Sequence, residues 1–400
     1  MSGKSGSSSF GLIAAEDQST FLVLPERFTS RIAQIEGRSH SVIGRYRIDL
    51  PLKSSLGIVG THRSNGDYFN QVVALDGFAR PISRTTASVQ ILGSRTRYPE
   101  EFALSHNQIT GKFSGWGLES EINYDSRNLE AEIFFETSSD DFRADLGEVD
   151  QVGVTHLRFQ INPQIYGGPN SWFTRLEFWT AIWEGWDADG NETDEYRVVS
   201  FQWYGKAQSH WRTFFQRRGA YIGSETLRVN RVITFLGAEP TSWLDVEING
   251  IFGEGLDFAN ARVGKQMRLG ANMGVRLGVK TDIRFTHTYD RLNAGASNVF
   301  RAHLSEMKLI YNFNSRMFVR SILQVRHTRR NPDNYTSVVN RRQTSVFGQI
   351  LFSYKVNPQS VAFLGYTDNR SGETDSEWMV SSFARENRSV FLKLGYAWRP

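Results

Sequence analysis

Arg301-Ala302-His303-Leu304-Ser305-Glu306-Met307-Lys308-Leu309-Ile310-Tyr311-Asn312-Phe313-Asn314-Ser315-Arg316-Met317 alternates apolar and polar side chains and then turns. Met307, Leu309, Tyr311 and Phe313 take one face; Glu306, Lys308 and Asn312 take the other. Successive residues of a strand point to opposite faces, so this pattern builds a ribbon with one oily and one wet side. After the short Asn314-Ser315 turn, the next strand puts Met317, Val319, Leu323 and Val325 on the apolar face. Arg316, Arg320, Gln324 and Arg326 oppose them. Runs of this length suit a tilted membrane-crossing strand, which needs about 9–11 residues.

The same pattern recurs upstream. Val275, Leu277, Val279, Ile283 and Phe285 alternate with Arg276, Lys280, Asp282 and Arg284, and read as one strand. Leu157, Phe159 and Ile161 alternate with Arg158, Gln160 and Asn162. Strands of a soluble sandwich average about five or six residues, and these are about twice that. Connections alternate in length. Short ones are expected near residues 51–54, 81–84, 126–128, 240–242, 269–271, 314–315 and 357–359. Longer polar loops are expected at 16–38, 96–111, 139–150, 291–298, 329–342 and 371–386. Short periplasmic turns with long extracellular loops are the outer-membrane arrangement. The reading is all-β: one transmembrane antiparallel up-and-down β-barrel of about 20 strands (range about 18–22), spanning residues 1–400 as a single domain. Both termini are expected on the periplasmic side, and residues 209–228 give the weakest strand signal.

Composition agrees. The chain of 400 residues holds 28 Phe, 14 Tyr and 10 Trp, yet its mean hydropathy is −0.41. A wall that alternates between lipid and water needs that combination. There is no cysteine, which excludes disulfides, thiolate metal sites and a Cys nucleophile. The net charge of +4, with charges spread along strands, gives no reason to expect a nucleic-acid partner. No run approaches the roughly 20 apolar residues of a membrane helix. The start, Met1-Ser2-Gly3-Lys4-Ser5-Gly6, lacks an apolar leader segment, so a mature or truncated form is expected.

Residues 172–186 read as one Trp-rich strand. Leu176, Phe178 and Ile182 form an apolar centre on the even face, with Trp172 and Trp186 at its ends. On a continuous strand those two rings stand about 46 Å apart, or about 33 Å across a membrane after tilting, which suits the two aromatic girdles. In the last strand Val390, Leu392, Leu394, Tyr396 and Trp398 share a face, with Trp398 as a third girdle residue.

Several signatures resemble one family. They are Gly3-Lys4-Ser5-Gly6 before Phe10-Gly11-Leu12-Ile13, and Asp141-Phe142-Arg143-Ala144-Asp145-Leu146-Gly147 after a hairpin. Near the end stand Asn357-Pro358-Gln359-Ser360 before Phe363-Leu364-Gly365-Tyr366, and Phe391-Leu392-Lys393-Leu394-Gly395-Tyr396. Together they resemble the C-terminal barrel of the domain of unknown function 5916 family, whose members usually carry a carbohydrate-binding family-9-like domain in front. The likeness covers nearly the whole chain, which carries the barrel part without that front domain. Its signatures belong to turns and strands, so it implies a membrane barrel and assigns no functional residue.

Candidate site residues come from the polar faces. Glu119, Glu121, Asp125, Glu130, Glu132 and Glu136 form an expected acidic wall. Arg276, Lys280, Arg284, Arg316, Arg320 and Arg326 form an expected basic wall, with Asp282 and Glu306 among them. Two such walls facing each other would set a transverse field across a wet lumen and favour polar or zwitterionic solutes. The competing expectation is that these charges pair with neighbours and plug the lumen, or are merely solvated. Arg175, Glu177, Trp179 and Trp183 share a polar face, and aromatic rings beside charged groups suit sugar stacking, though plain lumen packing is the favoured reading. Asp187-Ala188-Asp189-Gly190-Asn191-Glu192-Thr193-Asp194-Glu195 starts like a Ca²⁺ loop, but Glu192 stands where glycine belongs and Val198 where the bidentate Glu belongs. An acidic surface loop with no metal is expected there.

The eight histidines are scattered, and neither a Gly-x-Ser-x-Gly elbow nor a His-Glu-x-x-His motif occurs. No catalytic residue and no cofactor are therefore expected. The sequence points to a bacterial outer-membrane channel for small polar solutes or saccharides, bathed in membrane lipids and lipopolysaccharide. The alternatives are a closed barrel that anchors a binding domain, and an envelope-assembly or secretion partner.

Overall fold

The computed structural model describes residues 1–222, 225–357, 360–373 and 383–395. It is built almost wholly of strands, joined antiparallel: 22 enter one sheet and two form a separate hairpin. The first are β1 (Ser2–Ser5), β2 (Ser8–Asp17), the separate pair β3 (Thr20–Pro25) and β4 (Ser30–Ile35), and β5 (Ser39–Leu50). Then come β6 (Ser54–Asn65), β7 (Tyr68–Ile82), β8 (Thr85–Arg97), the short helix α1 (Glu100–Ser105), β9 (Lys112–Ser126) and β10 (Leu129–Ser138). The middle holds β11 (Val154–Tyr166), β12 (Arg175–Glu177), β13 (Thr180–Asp187), β14 (Glu192–Tyr204), β15 (His210–Ile222) and β16 (Glu225–Thr241). The rest are β17 (Leu244–Asp257), β18 (Arg262–Leu277), β19 (Thr281–Ala294), β20 (Ser297–Asn312) and β21 (Met317–Arg330). β22 (Arg342–Asn357), β23 (Ser360–Glu373) and β24 (Ala384–Gly395) complete the set.

The chain divides into two compact units. The first comprises Met1–Gln164, Phe178–Val198 and Arg218–Thr226; the second comprises Ile165–Glu177, Val199–Arg217 and Leu227–Pro400.

In both units the strands keep the alternation that the sequence shows. On β9 and β10, Trp116, Ile122 and Ile133 lie exposed on the apolar face. On β19 to β22, Phe285, Met307, Leu323 and Ile350 do the same. Exposed large apolar side chains on strand after strand would be a fault in water, but they are what hydrocarbon requires. Expected turns form at 83–84, 127–128 and 313–316, and the weak stretch becomes β15 and the start of β16.

Four expectations are corrected. Residues 269–271 are not a turn but the middle of β18; the chain reverses at residues 278–280, where Gly278 takes φ +61°. The register Arg276↔Asp282 and Leu277↔Thr281 closes that hairpin, so Val279 and Lys280 sit on the turn. Residues 291–298 are not a long loop, because β19 and β20 join through Gly295 at φ +59°. Arg316 belongs to the turn before β21, its backbone N–H donating to Asn314 Oδ1. Residues 172–186 are not one strand: Trp172 precedes β12, and β12 and β13 are separate. The 46 Å spacing assumed for Trp172 and Trp186 therefore does not hold. Trp172 instead lies exposed, stacked on Trp203 at 6.1 Å. Trp398, residues 358–359 of one expected turn and most of 371–386 lie outside the described residues.

A packed core does exist in the first unit, at the strand ends that carry the long connections. Leu22, Leu24, Ala33 and Ile35 of the β3–β4 hairpin bury against Tyr68, Tyr98, Ala103 and Phe113. The hairpin's other face, with Phe21 and Ile32, stays exposed.

Candidate functional site

The polar face of β9, β10, β11 and β13 in the first unit carries the densest chemistry. The register sets Glu130 opposite Asp125 and Glu136 opposite Glu119 across β9 and β10, so all six predicted acidic residues share this face. On the other flank, β11 places Asn162 opposite Glu130, Gln160 opposite Glu132 and His156 opposite Glu136. Glu132 accepts from Arg158 Nε and Gln160 Nε2, both at 2.6 Å. Glu130 accepts from Gln164 at 2.9 Å and Asn162 at 3.2 Å, and Glu136 meets His156 Nδ1 at 2.7 Å. Two acids thus have a basic neighbour. Glu119, Glu121, Asp125 and Glu130 have no ion pair among the described residues, and β8 offers them Gln90, Ser88 and Thr86, not cations. The face is therefore partly neutralised and stays net acidic.

The two tryptophans predicted as saccharide contacts, Trp179 and Trp183, stand on this face. Trp179 Nε1 donates to Gln160 Oε1 at 3.3 Å. The Trp183 ring receives the Arg158 guanidinium at 5.2 Å, and Arg158 also covers Phe134 at 4.6 Å. Trp183 Nε1 is buried without a hydrogen-bond partner. Between Trp179 and the acids lies a cavity of about 280 Å³, lined by Asn123, Asp125, Glu130, Glu132, Gln160 and Asn162. Carboxylates and amides around an indole present acceptors, donors and a flat apolar face together, the set that binds a hydroxyl-rich ring.

In the second unit Arg175 and Glu177 close on each other at 2.7 Å, and Arg175 also lies 4.4 Å over Tyr204. Their charges are spent locally. The expected basic wall is broken up in the same way. Arg276 pairs with Asp245 at 3.5 Å and Arg284 with Asp282 at 3.3 Å. Arg320 donates to the Gln349 amide at 3.1 Å. Only Arg276, Arg284, Arg320 and Arg326 are strand residues, since Lys280 and Arg316 lie on turns.

Above the acidic face, the Asp141-to-Gly147 signature is a latch folded into the strand ends. Asp145 accepts hydrogen bonds from Tyr68 Oη at 2.7 Å and Tyr98 Oη at 3.2 Å. Its backbone N–H donates to Asn70 Oδ1. Arg143 is buried, donating to the Asp140 and Phe142 carbonyls and to Gln108. Burial pushes the Asp145 carboxyl above its ordinary range, against the two tyrosine hydroxyls and the nearby Arg143 and Arg63. At the tip of the β3–β4 hairpin, Arg27 reaches Asp140 at 3.1 Å and Asp187 at 3.4 Å, and Phe28 stacks on Tyr221 at 3.7 Å. The expected acidic loop after β13 is a tight turn: Asp187 Oδ1 accepts the N–H groups of Asp189 and Asn191, with Gly190 at φ +81°. Among the described residues no group of three or more His, Asp or Glu is arranged to hold a metal.

Sequence reasoning passed over Arg158, Gln160 and Asn162 as site residues, and gave the latch no role. Cross-strand register decides both, and alternation does not carry it.

No family model matches the chain, and no curated protein matches it. The siderophore receptor PirA from Acinetobacter baumannii, a crystal structure, aligns with a TM-score of 0.50 at 10% identity. The alignment covers 98% of this chain and 74% of that one. The chain has the fold of a bacterial outer-membrane β-barrel. The copper transporter OprC gives a TM-score of 0.38 at 8% identity, over 97% of this chain and 76% of that one. In such a barrel the apolar face meets lipid and the polar face looks inward.

Proposed function

We propose that the barrel conducts small polar solutes and that saccharides are the class its first unit favours. The observation that carries this reading is the cavity on the acidic face, where Trp179 stands among Glu130, Glu132, Gln160 and Asn162. A sugar ring would stack on the indole while its hydroxyls donate to the carboxylates and accept from the amides. The strand and turn signatures support placing the chain beside the barrel of the domain of unknown function 5916 family, and no catalytic step is proposed. Calorimetric titration of the detergent-solubilised chain with soluble gluco-oligosaccharides tests it. Trp179→Ala is expected to weaken binding about tenfold, or about 1.4 kcal/mol, with the barrel still folded. Equal binding by the variant would remove the cavity from the account.

A second reading has its own support. The latch and the β3–β4 hairpin fold over the strand ends of the first unit, held by Asp145, Arg143 and Arg27. That arrangement suits a closed barrel serving as an anchor.

A further inference from the structure

On the apolar face of the second unit, four arginines stand in one cross-strand row. Arg291 is opposite Arg301, Arg301 opposite Arg329, and Arg329 opposite Arg342. Each lies within four residues of its strand's end, at the long-connection side. Adjacent strands are about 4.8 Å apart, and like charges directly opposite one another are destabilising. Among the described residues no carboxylate pairs with Arg291, Arg301 or Arg329, and Arg291 reaches only the Asn293 amide oxygen at 3.2 Å. The nearest acid on that face towards the C-terminus, Asp368, is engaged by Arg370 and Arg385. Arg301 and Arg329 also line a cavity of about 360 Å³ with Arg330, Arg341, Asn298 and Asn331.

Going along the strands away from the row, the same face carries Tyr289, His303 and His327, with the Tyr289 and His303 rings 4.9 Å apart. Met307 and Leu323 follow, opposite each other and exposed. Beside Tyr289 opens a groove of about 720 Å³ walled by Trp211, Leu236, Ile248, Phe252 and Leu269, with almost no polar surface. Small outward residues, Gly250 and Ala271, leave the space. Cations, then aromatic rings, then an oily groove is the order of a phosphorylated lipid entering a leaflet.

We propose that this face binds a phosphate-bearing lipid of the surrounding leaflet. Arg291, Arg301 and Arg329 hold its phosphates, and one acyl chain lies in the groove beside Tyr289. Guanidinium groups match phosphate oxygens two at a time, so the anion removes the repulsion within the row. The site is independent of whether the lumen conducts.

The test is native mass spectrometry of the full chain in detergent, titrated with a diphosphorylated, multiply acylated glucosamine disaccharide. The same lipid stripped of phosphate and inorganic phosphate serve as comparison probes. The phosphorylated lipid should be retained, and Arg301→Gln with Arg329→Gln should weaken retention at least about tenfold. Arg320→Gln, which removes a charge from the opposite face, should leave it unchanged. Heat-modifiable gel mobility checks folding, and Arg329→Gln alone decides the matter if the double variant misfolds. Equal retention of the stripped lipid, or an unaffected Arg329→Gln variant, would overturn the proposal. Displacement of the lipid by millimolar inorganic phosphate would assign the row to free phosphate and overturn the lipid reading.

Discussion

Asp145 concentrates the first unit's polar economy in one side chain. It is half-buried beside Tyr68 and Tyr98, whose rings are almost inaccessible and whose hydroxyls both point to it. Asp145→Ala removes the acceptor those hydroxyls share and is expected to cost about 1–3 kcal/mol for each group left unsatisfied. Hydrogen exchange over residues 139–153 should rise accordingly, and unchanged protection would refute the role. Because the folded carboxyl titrates above its unfolded value, its contribution is fully present below the unfolded pKa and is lost as pH rises through the folded one. Latch protection should therefore increase as pH falls through the raised folded value. Asp145→Asn should flatten that dependence. None of this was readable in the sequence, because Asp145 lies 47 positions from Tyr98 and 77 from Tyr68, and no local pattern links them.

At the scale of elements, alternation identified strands well and turns unevenly, for a physical reason. The apolar set Val275, Leu277, Ile283 and Phe285 keeps its parity through the reversal at 278–280, so periodicity runs on as though no turn were there. Only Gly278 marks it, and one glycine in a chain with 35 is a weak signal. The acidic face was legible because six acids fall on alternate positions of one hairpin. Its partners were not, since Gln160 reaches Glu132 across 28 residues. Latch docking also depends on β9: a Cβ on Gly115 would collide with the backbone of Asp141 and Phe142. Gly115→Val is expected to expel residues 139–153 and open them to limited proteolysis while heat-modifiable mobility is kept. A variant as resistant as the parent would mean the latch is held from elsewhere.

For the whole molecule, the polar surface is uneven in a way that composition hides. Acids without a cation, Glu119, Glu121, Asp125 and Glu130, concentrate on one face of the first unit, while the second unit interleaves arginine with aspartate. A net charge of +4 averages these away. If solutes pass along the acidic face, cations should feel it first, since fixed charges lining a narrow wet path select by sign. The decisive measurement is single-channel conductance of the refolded chain in a planar bilayer under a salt gradient, with Glu119→Lys and Glu121→Lys alongside. The account predicts discrete, stable steps and a reversal potential that moves towards anion preference in the charge-reversed chain. Silence from a chain shown to be folded, or a reversal potential indifferent to both substitutions, would contradict conduction along this face and leave the closed anchor.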